Sequence, residues 1–282
     1  MKRGMIGSAW FSSGKSRAAS WQQFWEMMAL SADPLLATDL VEVTDLDERY
    51  EAMCEELRSL LELTGSDRFL NVGCGAGLFE SRLDGAVRQI VGLDLAWNML
   101  IKARALNDHR GRVALLQGTA TALPFVDCTF DRILANSVTH YLSATELSAM
   151  LAELRRVLRP EGRIVIGDVE EPAPPLIERL RRIARREGMI GVLRRCFSRL
   201  LGPIARLYRR VREYYLVARG RLHPVEKPAP IIRHRREDLL RLAADQGFEA
   251  RIVEQGAGAL FSNRFNMILT VKTSRLKSNH HS

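Results

Sequence analysis

The chain has 282 residues, of which 46% are hydrophobic and 27% are charged, with a formal net charge of +9. This composition is typical of globular proteins, and a chain of this length can bury a core without disulfides or structural metals. No stretch approaches the roughly 20 apolar residues that cross a bilayer, and no signal-peptide pattern follows Lys2 and Arg3. We expect a cytoplasmic protein, or one bound peripherally at the inner membrane face.

The four cysteines are Cys54, Cys74, Cys128 and Cys196. They form no C-x-x-C pair and no spacing typical of metal ligands. We therefore predict reduced thiols and no bound metal.

The first 65 residues are predicted to form an N-terminal helical cap. Residues 1–20 are rich in glycine and serine and are expected to be irregular. A short amphipathic helix should follow, because apolar side chains recur at helical spacing at Trp21, Phe24, Trp25 and Met28. Asp45 and Glu48 form a capping-box pattern that predicts the start of a second helix, ending near Leu63.

Strands and helices alternate from residue 66 to residue 170. The predicted strands are 69–72, 89–95, 112–118, 130–136 and 162–169, and the predicted helices are 77–84, 96–107 and 143–157. This alternation is typical of a parallel sheet with helical crossovers, so we assign 66–170 to an α/β core.

Residues 171–230 interrupt the alternation with a proline-flanked, basic and helical stretch. The pattern resumes over 231–274, with a helix at 235–247 that ends at Gly247 and with strands at 248–255 and 265–272. Residues 275–282 are expected to be a disordered tail. The predicted fold is therefore a doubly wound, mostly parallel, seven-stranded Rossmann-like sheet with a helical insertion after strand five.

A glycine-rich turn joins the first strand to the helix that we predict after it. Gly73, Gly75 and Gly77 follow the strand, where glycine lets the backbone approach a ligand closely. A helix that begins there would offer free amides to an anionic group. Asp94 ends the second strand, where an acid can accept both hydroxyls of a ribose. The spacing is G-x-G-x-G, since Leu78 stands where a dinucleotide fingerprint needs glycine.

The sequence resembles the class I methyltransferases that use S-adenosylmethionine (SAM), in the subgroup that acts mostly on small molecules. Five segments carry the resemblance, in the family's order: LNVGCGAG (70–77), GLDLAWNMLIKAR (92–104), GTATALPF (118–125), FDRILANSVTHYL (130–142) and LRRVLRPEGRIVIGD (154–168). The resemblance implies SAM as cofactor. It implies a cofactor site made of Asn71, Gly73, Cys74, Gly75, Gly77, Asp94, Leu95, Thr119, Ala120 and Asn136.

Two residues depart from the family's pattern. An acid usually stands where Asn71 is, and an aspartate that contacts the adenine usually stands where Thr119 is. Both changes could weaken SAM binding. They leave open an alternative in which the chain is a SAM-binding adaptor with poor activity.

Polar residues after strands four and five are expected to face the methyl acceptor, because ligands lie at the carboxyl ends of such strands. We predict catalytic roles for Asn136, His140 and Asp168. His140 is the preferred base, since the ordinary histidine pKa lies near neutral pH, although it could instead pack the next helix. Asp168 could instead cap the following loop. Residues 136–139 lack the Asn/Asp-Pro-Pro-Tyr/Phe motif, which argues against amino-group methylation of nucleobases.

The positive charge is concentrated in the insertion, where residues 179–221 hold fourteen arginines, no lysine and two glutamates. Three interpretations remain open: a lid over the acceptor with solvated arginines, helices across 176–221 that bind an anionic membrane surface, or an RNA-binding patch. We predict methyl transfer to a small or lipid-linked acceptor, with oxygen as the favoured acceptor atom. RNA methylation is the alternative.

Overall fold

The computed structural model describes residues 17–30, 46–83, 85–107, 113–172, 227–256 and 264–272. The predicted helices of 176–221 lie outside these residues, as do the Asp45 cap, Cys196 and the predicted tail. Predictions about those segments stay predictions.

The described elements follow the expected alternation. The α-helices are α1 (Arg17–Met28), α2 (Leu46–Leu61), α3 (Trp97–Asn107), α4 (Ala144–Val157) and α5 (Arg236–Asp245). The strands are β1 (Arg68–Val72), β2 (Gln89–Asp94), β3 (Val113–Gln117), β4 (Phe130–Asn136), β5 (Leu158–Glu170), β6 (Phe248–Glu254) and β7 (Arg264–Val271). Two 3₁₀ turns lie at Glu80–Arg82 and Thr139–Tyr141. Within these ranges, no helix is long and apolar enough to cross a membrane.

The seven strands form one sheet in the order β3-β2-β1-β4-β5-β7-β6. The strands from β3 to β5 are parallel, whereas β7 runs antiparallel to both β5 and β6. The prediction of a doubly wound, mostly parallel Rossmann-like sheet is confirmed.

Apolar side chains cover both faces of the sheet, because successive residues of a strand point to opposite sides. Leu70 and Val72 pack with Leu151 of α4 and Leu239 of α5 on one face. Phe69 packs with α2 on the other face. A third cluster joins Trp21, Phe24, Ala96 and Met99, so that α1 rests against α3.

Three predicted boundaries are wrong. The helix expected over 77–84 is only the 3₁₀ turn Glu80–Arg82, since Leu78, Phe79 and Glu80 are all buried and an α-helix on a sheet buries one face. Residues 17–20 are helical, as the first turn of α1. Strand β5 begins at Leu158, where it pairs with Phe130 before a register shift, and therefore extends further than expected.

The antiparallel direction of β7 decides which of its residues approaches the site. Its first residue, Arg264, pairs in register with Glu170 at the carboxyl end of β5. The start of β7 therefore lies at the same edge of the sheet as the carboxyl ends of the parallel strands.

Candidate active site

A cavity of about 270 Å³ lies at the carboxyl edge of the parallel strands. Gly73, Cys74 and Gly75 after β1 border it, together with Asp94 and Leu95 after β2 and Thr119 and Ala120 after β3. On the other side of β1 it is bordered by Asn136, Ser137 and His140 after β4, Asp168 near the end of β5, and Arg264. Most predicted site residues therefore share one cavity.

The glycine turn adopts a backbone that favours glycine. The φ angles of Gly73, Gly75 and Gly77 are +75°, +54° and +73°. A Cβ at Gly75 would meet nothing within 4 Å, whereas a Cβ at Gly77 would lie 2.8 Å from Cβ of Ala103. Gly75 thus leaves room for a ligand beside the backbone, while Gly77 allows the turn to pack against α3.

The expected binding of an anion by free loop amides needs correction. The amides of Gly73 and Cys74 donate to the carbonyl of Leu93 at 2.7 and 3.1 Å, and the amide of Gly77 donates to Cys74. No α-helix starts directly after the turn. The turn therefore serves as a close-fitting surface, and these three amides are already used within the fold.

Asp94 is held rigidly at the cavity wall. Its Oδ2 accepts a hydrogen bond from the Gly75 amide at 2.8 Å, and its Oδ1 accepts one from the Ala96 amide at 2.9 Å. Burial raises the pKa of this carboxyl above its usual value. A carboxylate has about four acceptor positions, so these bonds leave Asp94 able to accept from a ligand's hydroxyl group as well.

Two predicted cofactor residues do not border the cavity. Asn71 lies beneath the glycine turn, where its Nδ2 donates to Oε1 of the buried Glu80 at 2.7 Å. Gly77 faces α3. Thr119 borders the cavity as predicted, but its hydroxyl shares a hydrogen bond with that of Thr121 at 2.9 Å.

Ser137 and Asp168 form the most constrained pair on the acceptor side. Both have a positive φ, +58° and +55°, which is unfavourable for non-glycine residues and is often retained at functional sites. The Ser137 hydroxyl donates to Asp168 Oδ2 at 2.6 Å. Arg264 pairs with the same carboxylate, and Gln255 donates to Oδ1 at 3.2 Å. Asp168 is thus the centre of a network and does more than cap a loop.

His140 is buried, with 3% of its surface exposed. Burial, reinforced by the charges of Arg264, Lys227 and His234, lowers its pKa from 6.5 to about 3. The ordinary pKa on which its prediction as a base rests does not hold in the fold. At neutral pH the ring is uncharged and can act only as a neutral hydrogen-bonding group or a weak base.

Aromatic side chains of α1 form part of the cavity wall. This contribution was not predicted from the sequence. The ring of Trp21 lies 4.6 Å from that of Tyr141, and the ring of Trp25 lies 5.8 Å from it, between centroids. Tyr50 and Met53 of α2 add to the wall. The spacing of Trp21 and Trp25 on one helix was visible in the sequence, but their partner across the cavity was not.

The sheet order, the glycine turn and the carboxylate at the end of β2 define the class I SAM-dependent methyltransferases, whose cofactor is S-adenosylmethionine. Residues 70–166, about a third of the chain, match the family model described as "Methyltransferase domain".

Curated relatives match the same region. A malonyl-[acyl-carrier protein] O-methyltransferase of Erwinia pyrifoliae is 36% identical over 104 residues, which are 37% of this chain and 38% of the relative. A demethylmenaquinone methyltransferase of Staphylococcus epidermidis is 29% identical over 140 residues, or 47% of this chain and 56% of the relative. The chain thus spans about two fifths to somewhat over half of the length of these relatives.

Among solved structures, phosphoethanolamine N-methyltransferase 1 of Haemonchus contortus, in complex with phosphoethanolamine and S-adenosylhomocysteine, has a TM-score of 0.64. It is 15% identical, and the similarity covers 95% of this chain and 52% of that one. At this identity the similarity concerns the fold alone.

Proposed function

We propose that the chain transfers the methyl group of SAM to an oxygen atom of a small or lipid-linked acceptor. The observation that carries this proposal is one cavity that crosses β1, bordered by Gly75 and Asp94 on one side and by Ser137 and Asp168 on the other. Methyl transfer is an in-line displacement, so the protein must chiefly hold donor and acceptor in line. A cavity that reaches both groups of residues suits that task.

The cofactor half would be held by the residues of the first three strand ends. Asp94 would accept hydrogen bonds from the ribose hydroxyls, and Gly75 would let the cofactor lie against the backbone. Cys74, Leu95, Thr119 and Ala120 would form the remaining wall, with the last two near the adenine. When bound, SAM supplies an activated methyl group on a positively charged sulfur.

The acceptor's proton would leave through Ser137 and Asp168. An acceptor hydroxyl would give its proton to Ser137 Oγ while its oxygen bonds to the methyl carbon and the carbon–sulfur bond breaks. Ser137 would pass its own proton to Asp168, to which it is already hydrogen-bonded. Burial raises the pKa of Asp168 above its usual value, which makes this carboxylate a better base than an exposed one.

His140 and Asn136 would orient the acceptor. His140 is uncharged at neutral pH, so it would contribute a hydrogen bond and a flat apolar surface without repelling the cofactor's positive sulfur. Asn136 donates to Ser137 Oγ at 3.4 Å, which would help to aim that oxygen.

The walls of the acceptor half favour an acceptor with an apolar body. Tyr141 follows His140 on this side of the cavity, and the rings of Trp21 and Trp25 pack against it. Oxygen as the acceptor atom is also supported by the relative named as a malonyl-[acyl-carrier protein] O-methyltransferase. The arginine-rich residues 179–221 would assist a phosphate-bearing, lipid-linked acceptor or an anionic membrane surface.

Titration calorimetry with S-adenosylhomocysteine tests the cofactor half. The unmodified protein should bind, and Asp94→Ala should lower the affinity by about tenfold or more, since it removes charge-assisted hydrogen bonds. Asp238→Ala, which removes an exposed carboxylate of α5, is the matched control and should bind normally. Lack of binding by the unmodified protein would refute the proposal.

Isotope-labelled SAM in cell extract tests the acceptor. The extract is separated into lipid, RNA, protein and small-molecule fractions after incubation. Label in the lipid or small-molecule fraction is expected, whereas label confined to RNA would favour the alternative function.

A further inference from the structure

Glu80 is a buried acid that the proposed function does not use. It is 0% exposed and belongs to the 3₁₀ turn after the glycine loop. Asn71, near the end of β1, donates its Nδ2 to Glu80 Oε1 at 2.7 Å. The two residues therefore stand on either side of the glycine loop, Asn71 two positions before Gly73 and Glu80 three positions after Gly77, and their contact joins the loop's two ends.

The remaining side-chain oxygens of the two residues, Asn71 Oδ1 and Glu80 Oε2, are also buried. Neither Asn71 Oδ1 nor Glu80 Oε2 has a hydrogen-bond partner within the part of the chain that the structure describes. If Glu80 is ionised, both atoms are acceptors, and both have lost their hydrogen bonds to water without a replacement, which is unfavourable. A proton on Oε2 turns one of the two acceptors into a donor for the other.

We propose that Glu80 is protonated in the folded protein and pairs with the Asn71 amide through two hydrogen bonds, and that this acid–amide clasp positions the glycine loop for the cofactor. The first bond is the observed Nδ2–H to Oε1 contact, and the second runs from Oε2–H to Oδ1. The role in cofactor binding rests on the proposed function. The protonation of Glu80 stands without it.

The surroundings of Glu80 favour the neutral acid. Burial is the main cause that raises its pKa to about 7. Hydrogen bonds from Asn71 and from the backbone amide of Glu80 oppose the rise, and the carboxylate of Asp94 adds to it. The other titratable neighbours are Tyr50 and Cys54 of α2 and Cys74 of the loop, all themselves raised in pKa by burial. Arg82, the cation of the same turn, directs its Nε to Glu51 at 2.6 Å.

Ionisation of Glu80 should loosen the loop. It removes the second hydrogen bond and adds a negative charge near Asp94. Cofactor affinity should therefore fall as the pH rises through about 7. In Glu80→Gln the side chain keeps both hydrogen bonds at every pH, because its Nε2–H can donate to Asn71 Oδ1.

Calorimetric affinity for S-adenosylhomocysteine, measured from pH 6 to pH 9, tests the clasp. The unmodified protein should lose about tenfold in affinity, while Glu80→Gln should show only the ligand's own titration. Glu161→Gln makes the same change at an exposed position and should follow the unmodified protein. Parallel profiles for the unmodified protein and Glu80→Gln would overturn the positioning role.

Infrared spectroscopy tests the protonation separately. The unmodified protein should show the carbonyl band of a buried carboxylic acid at pH 6 that disappears above pH 8, and Glu80→Gln should lack it. Absence of such a band in the unmodified protein overturns the inference, even if Glu80→Gln fails to fold. If the band is present but S-adenosylhomocysteine binds to neither protein at any pH, the proposed function fails while the acid–amide pair stands.

Discussion

Glu26 of α1 accepts a hydrogen bond from the backbone amide of Trp97, 71 residues further along the chain, at 2.7 Å. Its second carboxylate oxygen accepts from the next amide, that of Asn98, at 2.8 Å. A residue from one helix thus caps the first turn of another, α3, which begins just after Asp94. The contact fixes the aromatic cover of the cavity to the helix that follows Asp94, the proposed ribose-binding acid.

Removing this cap should affect both stability and binding. Glu26→Ala should lower the free energy of unfolding by about 1 kcal/mol, as for other lost helix caps, and should weaken binding of S-adenosylhomocysteine. Urea denaturation and calorimetry measure the two effects. Glu161→Ala changes an exposed acid far from this contact and should alter neither. If Glu26→Ala behaves like this control, the cap does not hold α1 in place.

Alanine at two glycines of the same turn should separate binding from folding. Both positions have a positive φ, so each substitution carries a backbone cost of about 1 kcal/mol. At Gly75 the new methyl group would enter open space that we assign to the cofactor, whereas at Gly77 it would collide with Ala103. Gly75→Ala should therefore lose mainly affinity for S-adenosylhomocysteine, and Gly77→Ala should lose mainly stability.

Calorimetry and urea denaturation on both variants check this contrast. Equal losses of affinity in the two variants, at similar stability, would contradict the assignment of the space beside Gly75.

His140 should remain uncharged over the usual working range of pH. Its pKa is lowered in the fold to about 3, while the unfolded chain has the ordinary value near 6.5. Below pH 6.5 the unfolded state therefore binds a proton that the folded state does not, and stability falls as the pH drops towards 3. The slope from this residue should approach about 1.4 kcal/mol per pH unit.

Two measurements check the state of His140. Its ring carbon resonances should not shift between pH 8 and pH 5, and the decline in unfolding free energy below pH 6.5 should be shallower in His140→Phe. A ring that titrates near pH 6.5 in the folded protein would contradict the prediction.

Ser137→Ala tests the proposed route of the proton. With an acceptor identified from the labelling experiment, the variant should lower the rate of methyl transfer by about a hundredfold, within the range for general base catalysis. Affinity for S-adenosylhomocysteine should stay nearly the same, because Ser137 lies on the acceptor side. Rates measured at saturating SAM separate the two effects, and an undiminished rate would exclude Ser137 from the proton's path.

The structural features that depend on local sequence patterns could be predicted from the sequence. Buried strands are short apolar runs, so β1, β2 and β4 appeared within a residue of their bounds, and the glycine turn and Asp94 followed from their positions after the first two strands. Contacts between distant residues could not be predicted. Asp168 meets Arg264, 96 residues away, only because β7 lies beside β5.

The region after Gly77 shows a second limit of predicting structure from the sequence. Its residues have ordinary helix preferences, but consecutive buried side chains and the Asn71–Glu80 contact determine the observed 3₁₀ turn. Tertiary packing overrides local propensity there.

The reversed direction of β7 has a consequence for how such a protein can change its substrate. Had this strand run with its neighbours, Val271 would stand at the reactive edge and Arg264 at the far side of the sheet. As it is, the chain enters β7 at the acceptor's side of the crevice. Changes at Arg264 can therefore alter the half of the cavity that we assign to the acceptor, while the three strand ends that we assign to the cofactor, all before residue 121, stay untouched.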